Sequence, residues 1–425
     1  MVVRLRCLAT EATGATEAGG DMSSFPAVKV LENVYWVGAI DWGIRDFHGY
    51  ETPRGSTYNA YLVVAEKIAL IDTVKAAFCE EMLSRIASVV DPSRISYIVS
   101  NHAEMDHSSA LPRAISALNP EQVFASTLGV KALKDHFHLD REFTAVKDGE
   151  TLSLGSMTLA FAEMRMLHWP DSMATYLPDK AILFSNDAFG MHLATSERFD
   201  DELASSLLEY EAAKYYANIL MPLGQLIPRA IEKATNLGEI KVIAPSHGPI
   251  WREKLGRIVE LYSSWAAGTK RRKAIVIYDT MWQSTAAMAK AVTEGITAAG
   301  VEAKLLPLRA SHRSEVAAEI LDAAALVVGS PTLNNTIFPT VADVLTYLKG
   351  LKPKNMVGAA FGSHGWSGEG VGQLEAALAE MKVELAAPGV KTVYVPDSSA
   401  LDQCFALGQA VAEKVKERVE ARKKA

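Results

Sequence analysis

From residue 272 to 425 the chain alternates between two textures. KAIVIYDT (273–280), AKLLPL (303–308), ALVVGSP (325–331), MVGAAFGSHG (356–365) and KTVYVPD (391–397) are short, continuous apolar runs, and each is followed by a stretch of helical periodicity. Strands that lack polar alternation must be covered on both faces, and strand–helix–strand repeats join parallel strands by crossovers. This pattern admits few folds. It predicts a doubly wound parallel sheet over residues 272–425.

The preceding segment, 28–271, follows another rule. Runs such as VYWVGAI (34–40), AYLVV (60–64), IALID (68–72), YIVSNH (97–102), TLSLGSMTLAFAEM (151–164) and AILFSND (181–187) are divided by turn residues. Helical periodicity intervenes at 76–90 and 108–118. Strands outnumber helices and come in hairpin-like pairs, which predicts stacked sheets with helices outside. Residues 1–27 carry two glutamates and an aspartate and no continuous apolar core, so they are expected to be a disordered leader rather than a signal or transit peptide, with Met22 a plausible second start.

Composition excludes several classes. No apolar run approaches the ~18–20 residues of a membrane span. A formal net charge of -7 opposes non-specific nucleic-acid binding. Cys7, Cys79 and Cys404 lie too far apart for a disulfide framework or a metal knuckle, which fits a reducing cytoplasm. The basic cluster Lys270 to Lys273 is read as a solvated charge run, with docking of an acidic electron carrier as the second reading.

The chemistry concentrates in NHAEMDHSS (101–109). In extended geometry His102, Glu104 and Asp106 share a face, and His107 follows where a helix begins. The competing reading is a polar loop in which Asp106 or Ser108 caps the helix at 108–118. His168, Asp187 and His247 shift the weighting, because each stands at or just past the end of an apolar strand run, where loops converge on one sheet edge. Four imidazoles and three carboxylates form a hard N/O donor set suited to iron. His192 is a candidate for supporting the ligands, whereas His48, His136, His138 and His312 are given no role.

In the second segment, TMWQST (280–285) stands between a strand and a helix, where backbone N–H and hydroxyl groups can hold a phosphate. No GxGxxG is present, which favours a mononucleotide over NAD. SPTLNNTIFP (330–339) and GSHGWSGEG (362–370) follow two further strands, at the edge where such sheets bind ligands.

The series His102-x-Glu104-x-Asp106-His107, His168, Asp187 and His247 resembles the ligand set of flavodiiron proteins (A-type flavoproteins), nearest to the rubredoxin:oxygen oxidoreductase type. DFHGY (46–50), TYNAYL (57–62), LHWPDSM (167–173) and SNDAFG (185–190) share the resemblance. It implies a metallo-β-lactamase-like αββα sandwich over 28–271 joined to a flavodoxin-like domain over 272–425. His102, Glu104 and His168 would hold one iron, Asp106, His107 and His247 the other, and Asp187 would bridge them.

The FMN site would draw on Thr280, Met281, Trp282, Gln283, Ser284 and Thr285, on Thr332, Leu333, Asn334, Asn335 and Thr336, and on Ser363, His364, Gly365, Trp366, Ser367 and Gly368. A rubredoxin-type protein would donate electrons, dioxygen or nitric oxide would accept them, and a head-to-tail homodimer or homotetramer would bring one chain's flavin to its partner's irons. Dioxygen reduction to two waters takes four electrons, the sum of two from a diiron pair and two from a flavin. A dinuclear zinc hydrolase with an appended flavodoxin domain is the alternative, because the sandwich hosts both chemistries, and a flavin carrier with a vestigial metal domain is the third reading.

Overall fold

The computed structural model describes residues 25–424. Most of the expected leader lies outside these residues. Its last three do not follow the expectation of disorder, since the Phe25 and Ala27 amides bond to Ser84 and Ser88, and Arg85 bonds to the Pro26 carbonyl.

Two sheets pack face to face in the first half. The seven-stranded sheet comprises β1 (Val28–Leu31), β2 (Val34–Trp36), β3 (Tyr61–Val63), β4 (Ile68–Ile71), β5 (Ile95–Ser100), β6 (Gln122–Ser126) and β7 (Thr144–Val146), paired in that order. The five-stranded sheet comprises β8 (Thr151–Ser153), β9 (Thr158–Glu163), β10 (Met173–Leu177), β11 (Ile182–Asn186) and β12 (Val242–Pro245). The run 151–164 is therefore a hairpin, β8 against β9, and 34–40 divides at Trp36.

Alternation sorts the side chains of these strands. Tyr61, Val63, Ile71, Val99 and Phe124 meet Phe161, Met173 and Phe184 between the sheets, while Leu62, Leu70, Ile98 and Val123 face α1 (Cys79–Ala87), α2 (Leu111–Leu118) and α3 (Thr127–Phe137). Beyond the second sheet lie α4 (Ser205–Tyr215), α5 (Ile227–Leu237) and α6 (Leu255–Ala266). Each large apolar side chain fully buried in the seam contributes about 1.5–3 kcal/mol. Their sum offsets the cost of holding several carboxylates out of water at one end of the same seam.

The second half has β13 (Arg271–Tyr278), β14 (Glu302–Pro307), β15 (Ala323–Gly329), β16 (Val357–His364), the short β17 (Glu384–Leu385) and β18 (Val390–Val393). The order β14-β13-β15-β16, with β17 and β18 both on β16, is wholly parallel. Helices α7 (Ser284–Ala298) and α11 (Ser398–Lys424) cover one face. On the other, α8 (Arg313–Ile320), α9 (Pro339–Leu351) and α10 (Gly370–Glu380) share a core that runs on into Tyr215, Tyr216, Leu220 and Tyr262 of the first half.

The basic cluster is only half the solvated run expected: Arg271 and Arg272 are exposed, but Lys270 and Lys273 are not. Lys270 is buried and donates to the Ile320 and Leu321 carbonyls at the end of α8, where burial pushes its ammonium down to about 7. Lys273, also buried, pairs with Glu319 and Asp322 at 2.7 and 2.8 Å. Two of its four charges therefore fasten β13 to the α8 end, which leaves little for docking a carrier.

Candidate metal centre and flavin site

All seven ligand candidates lie just beyond the carboxyl ends of three strands or in the loop between β9 and β10. After β5, Asn101 to Glu104 lead into a one-turn helix, Met105–Ser108, with Glu104 at its N-cap position. Capping by the Asp106 or Ser108 side chain does not occur. Ser108 Oγ instead donates back to the Ala103 and Glu104 carbonyls at 2.7 and 2.9 Å, and α2 starts only at Leu111. Asp72, past the end of β4, fixes the loop by accepting from Asn101 N and Nδ2 at 2.7 and 2.9 Å. Asp187 follows β11, His247 follows β12, and His168 comes from the loop between β9 and β10.

These side chains meet in two adjoining groups, His102, Glu104, His168 and Asp187 in one, Asp106, His107 and His247 in the other. Every imidazole presents Nε2. Glu104 Oε2 stands 3.3 Å from His102 and 3.0 Å from His168, and Asp106 stands 3.4 Å from His107 and 3.1 Å from His247. Asp187 divides its oxygens between the groups: Oδ2 lies 3.7 and 3.4 Å from His102 and His168, Oδ1 3.1 and 3.5 Å from His107 and His247.

His102 Nε2, both Asp106 oxygens and Asp187 Oδ2 are buried without a hydrogen-bond partner despite these short distances. Buried polar atoms are ordinarily paired. Atoms that converge on common points instead of on one another suit a pair of cations, so the donor set fits two adjacent metals.

The electrostatics reflect the crowding. Burial pushes the imidazolium forms of His102, His107 and His168 down, but the surrounding carboxylates outweigh it and hold them up at about 10, 9 and 10. Burial pushes Asp187 up, and the imidazoles overcome this, holding it well below the carboxylate range.

Outer contacts fix the ligands. Asp171 Oδ2 accepts from His102 Nδ1 at 3.0 Å and from the Ala103 amide at 2.7 Å. The Thr57 carbonyl accepts from His247 Nδ1 at 2.6 Å. Tyr215 donates to Asp187 Oδ1 at 3.1 Å. His192 is buried against the His247 ring, centroids 4.8 Å apart, with Nδ1 2.8 Å from Ser56 Oγ; burial and the nearby His247 push its imidazolium well below the ordinary value.

Sequence reasoning gave His48 no role, and the structure corrects this. Its exposed ring reaches Glu104 Oε1 at 3.3 Å, outside the two ligand groups. His312 is corrected as well, since its side chain accepts from the Ser314 amide and caps α8.

In the second half a cavity of about 550 Å³ opens at the carboxyl ends of β13, β15 and β16. Of the expected flavin residues, Met281, Trp282, Ser284, Thr332 to Asn335 and Ser363 to Ser367 line it. Thr280, Gln283, Thr285, Thr336 and Gly368 do not. Thr285 is buried against Ser363 Oγ at 3.0 Å, Thr336 bonds Gln373, Thr280 is buried, and Gln283 (φ 70°) and Gly368 (φ 78°) form turns. Pro331, Tyr394 and Val395 line the cavity without having been expected. Trp282 and Trp366 are 88% and 86% exposed, so flat apolar surfaces flank the opening, as a stacked ring requires.

Two family models match the chain, the ODP family beta lactamases over residues 57–248 and flavodoxin over residues 276–408. The sequence is 48% identical over 393 residues to a nitric oxide reductase of Moorella thermoacetica, covering 91% of this chain and 98% of that one. The fold is similar to that of rubredoxin oxygen:oxidoreductase from Desulfovibrio gigas, with a TM-score of 0.91, 45% identity, and 92% and 99% of the two chains covered. It is also similar to the flavodiiron protein of Giardia intestinalis, with a TM-score of 0.91, 36% identity, and 93% and 98% covered. The chain belongs to the flavodiiron proteins. It is an oxidoreductase whose flavodoxin domain binds FMN and whose buried His/Asp cluster is a diiron site.

Proposed function

We propose that His102, Glu104 and His168 hold one iron, that Asp106, His107 and His247 hold the other, and that Asp187 bridges them, in a protein that takes electrons from a rubredoxin-type donor through FMN and reduces dioxygen to water, nitric oxide to nitrous oxide, or both. The observation that carries this reading is the split of the Asp187 oxygens between two groups of inward-facing Nε2 atoms. Two irons and FMN supply storage for two electrons each, which matches the four that dioxygen needs. The chain's own part is positional: seven ligand candidates from both sheets, with Asp171 and the Thr57 carbonyl setting the tautomers of His102 and His247. Burial excludes bulk water from the ligands.

A zinc hydrolase loses ground on the carboxylate at Glu104 and on a flavin-sized cavity that hydrolysis does not use. The phosphate of FMN would lie at the start of α7 near Ser284, and its ring between Trp282 and Trp366. A head-to-tail dimer is supported by two apolar rims, Trp282, Trp366 and Val395 at the flavin cavity and Trp42, Met105 and Met166 on the metal-bearing half, all exposed here. A boundary near residue 271 is supported by β13, which starts at Arg271. Cytoplasmic residence accords with the free, buried Cys79 and Cys404, and no helix among the described residues is long and apolar enough to cross a membrane.

The test is anaerobic turnover of iron- and FMN-loaded protein with reduced rubredoxin, following both gases in one preparation. Zinc in place of iron, or no consumption of either gas, would overturn the reading.

A further inference from the structure

We propose that Arg313, in the flavin-binding half, is a positioning residue for the metal centre of the same chain, acting through the hairpin Asp46–Glu51. The inference rests on the functional reading above and deepens it.

The hairpin belongs to none of the three main sheets; Asp46 pairs with Glu51 and Phe47 with Tyr50. His48 and Gly49 have φ of 56° and 81°, the successive left-handed residues of a two-residue type I′ loop. This places its side chains against both metal groups. His48 Nε2 lies 3.3 Å from Glu104 Oε1, leaving Oε2 to face His102 and His168. Phe47 packs against His192 and His247 with centroids 4.7 and 6.4 Å away.

So short an isolated ribbon is marginally stable at best, and its tip is held from the other half. Arg313 Nε donates to the Gly49 carbonyl at 3.1 Å, while its Nη1 bonds Asp343 at 2.7 Å and its guanidinium lies 5.3 Å from the Tyr347 ring centroid. Asp343 and Tyr347 both belong to α9, so the guanidinium is anchored in its own domain before it reaches across. The adjacent Ser314, fully buried, accepts from the Glu51 amide at 3.2 Å, and His312 bonds its hydroxyl at 2.8 Å. The segment SHRS (311–314) thus grips the loop at its tip and at its second strand. Arg313 touches no ligand; it sets where His48 can stand, and His48 sets which Glu104 oxygen faces inward.

The test uses the full-length, iron- and FMN-loaded protein as wild type, Arg313→Ala, His48→Ala and the double variant. Arg313→Ala should lower kcat/KM for the gaseous substrate about threefold to tenfold, the scale of one ordinary hydrogen bond lost, with iron content and the rate of FMN reduction unchanged. On the His48→Ala background the same change should add less than about twofold, since residues acting as a unit are not additive. Hydrogen exchange over residues 45–52 should quicken in Arg313→Ala, a readout independent of turnover, and Gly49→Ala, whose new methyl would press on the guanidinium, should do the same. Unchanged exchange, a full-sized loss persisting without His48, or a parallel fall in FMN reduction would each overturn the proposal. Wild-type protein that consumes neither gas would sink the functional reading separately, while the exchange result would still decide the grip of Arg313.

Discussion

Asp171 offers a way to separate charge from geometry at the metal centre. One of its oxygens accepts both the His102 Nδ1 proton and the Ala103 amide, at 3.0 and 2.7 Å. Burial pushes its carboxyl up, but His102 overcomes this and holds it below the usual range, so it stays ionised at neutral pH and favours a proton on Nδ1. That leaves Nε2 free to bind a metal. Asp171→Ala removes the acceptor of both bonds and releases the tautomer, and loss of such an outer partner costs about 10–100-fold in metal affinity or activity. Asp171→Asn keeps a carbonyl oxygen with two lone pairs but no charge; charge-assisted bonds are about twice as strong as neutral ones, a difference of about 1 kcal/mol or fivefold. The assay is iron affinity by chelator competition under anaerobic conditions, beside gas turnover. An alanine variant that binds and turns over like wild type, or an asparagine variant worse than alanine, would refute the argument.

Other expectations can be checked more briefly. Metal uptake by chelated protein at pH 7 to 8 should release about three protons, because His102, His107 and His168 are held at about 10, 9 and 10 when no cation lies between them; calorimetry in buffers of different ionisation enthalpy counts them. Folded values raised above the ordinary imidazole range stabilise below the unfolded pKa and lose that contribution as pH rises through the folded one, so the melting point of chelated protein should fall between pH 7 and 10. Trp366→Ala should weaken FMN binding by about 2- to 12-fold, from an aromatic stacking contribution of about 0.5–1.5 kcal/mol, as read by fluorescence titration. Lys270→Met strands the Ile320 and Leu321 carbonyls and should destabilise the protein by about 1–3 kcal/mol in denaturant unfolding.

The seven side chains that gather at the centre could be picked out in the sequence because their chemistry is uncommon and they recur beside strand ends. Most of their supports could not. Thr57 acts through a backbone carbonyl, which carries no trace of residue type, and Asp171 was visible in LHWPDSM only as an acid near a histidine. His48 depends on a contact with Glu104 from a distant strand end of the same half, and Arg313 on one with Gly49 across the two halves, beyond any local pattern. The parallel sheet after residue 271 could be read from its buried strands. Helices α3 to α6 were not located, although α3 carries a start signal in Ser126, whose hydroxyl accepts from the Gly129 amide, and α5 stops at Gly238; Lys270 looked solvated because the packing of α8 over it is a long-range event.

The ligand candidates arise from both layers of the sandwich. His102 to His107 hang from the edge of the seven-stranded sheet, while His168, Asp187 and His247 hang from the five-stranded one. Neither ion could complete its shell from one layer, so each would act as a clasp across the opening. Loading a single ion should already lock the layers together, leaving the second to enter a preformed socket, and stripping both should loosen the mouth of the seam before its aromatic interior.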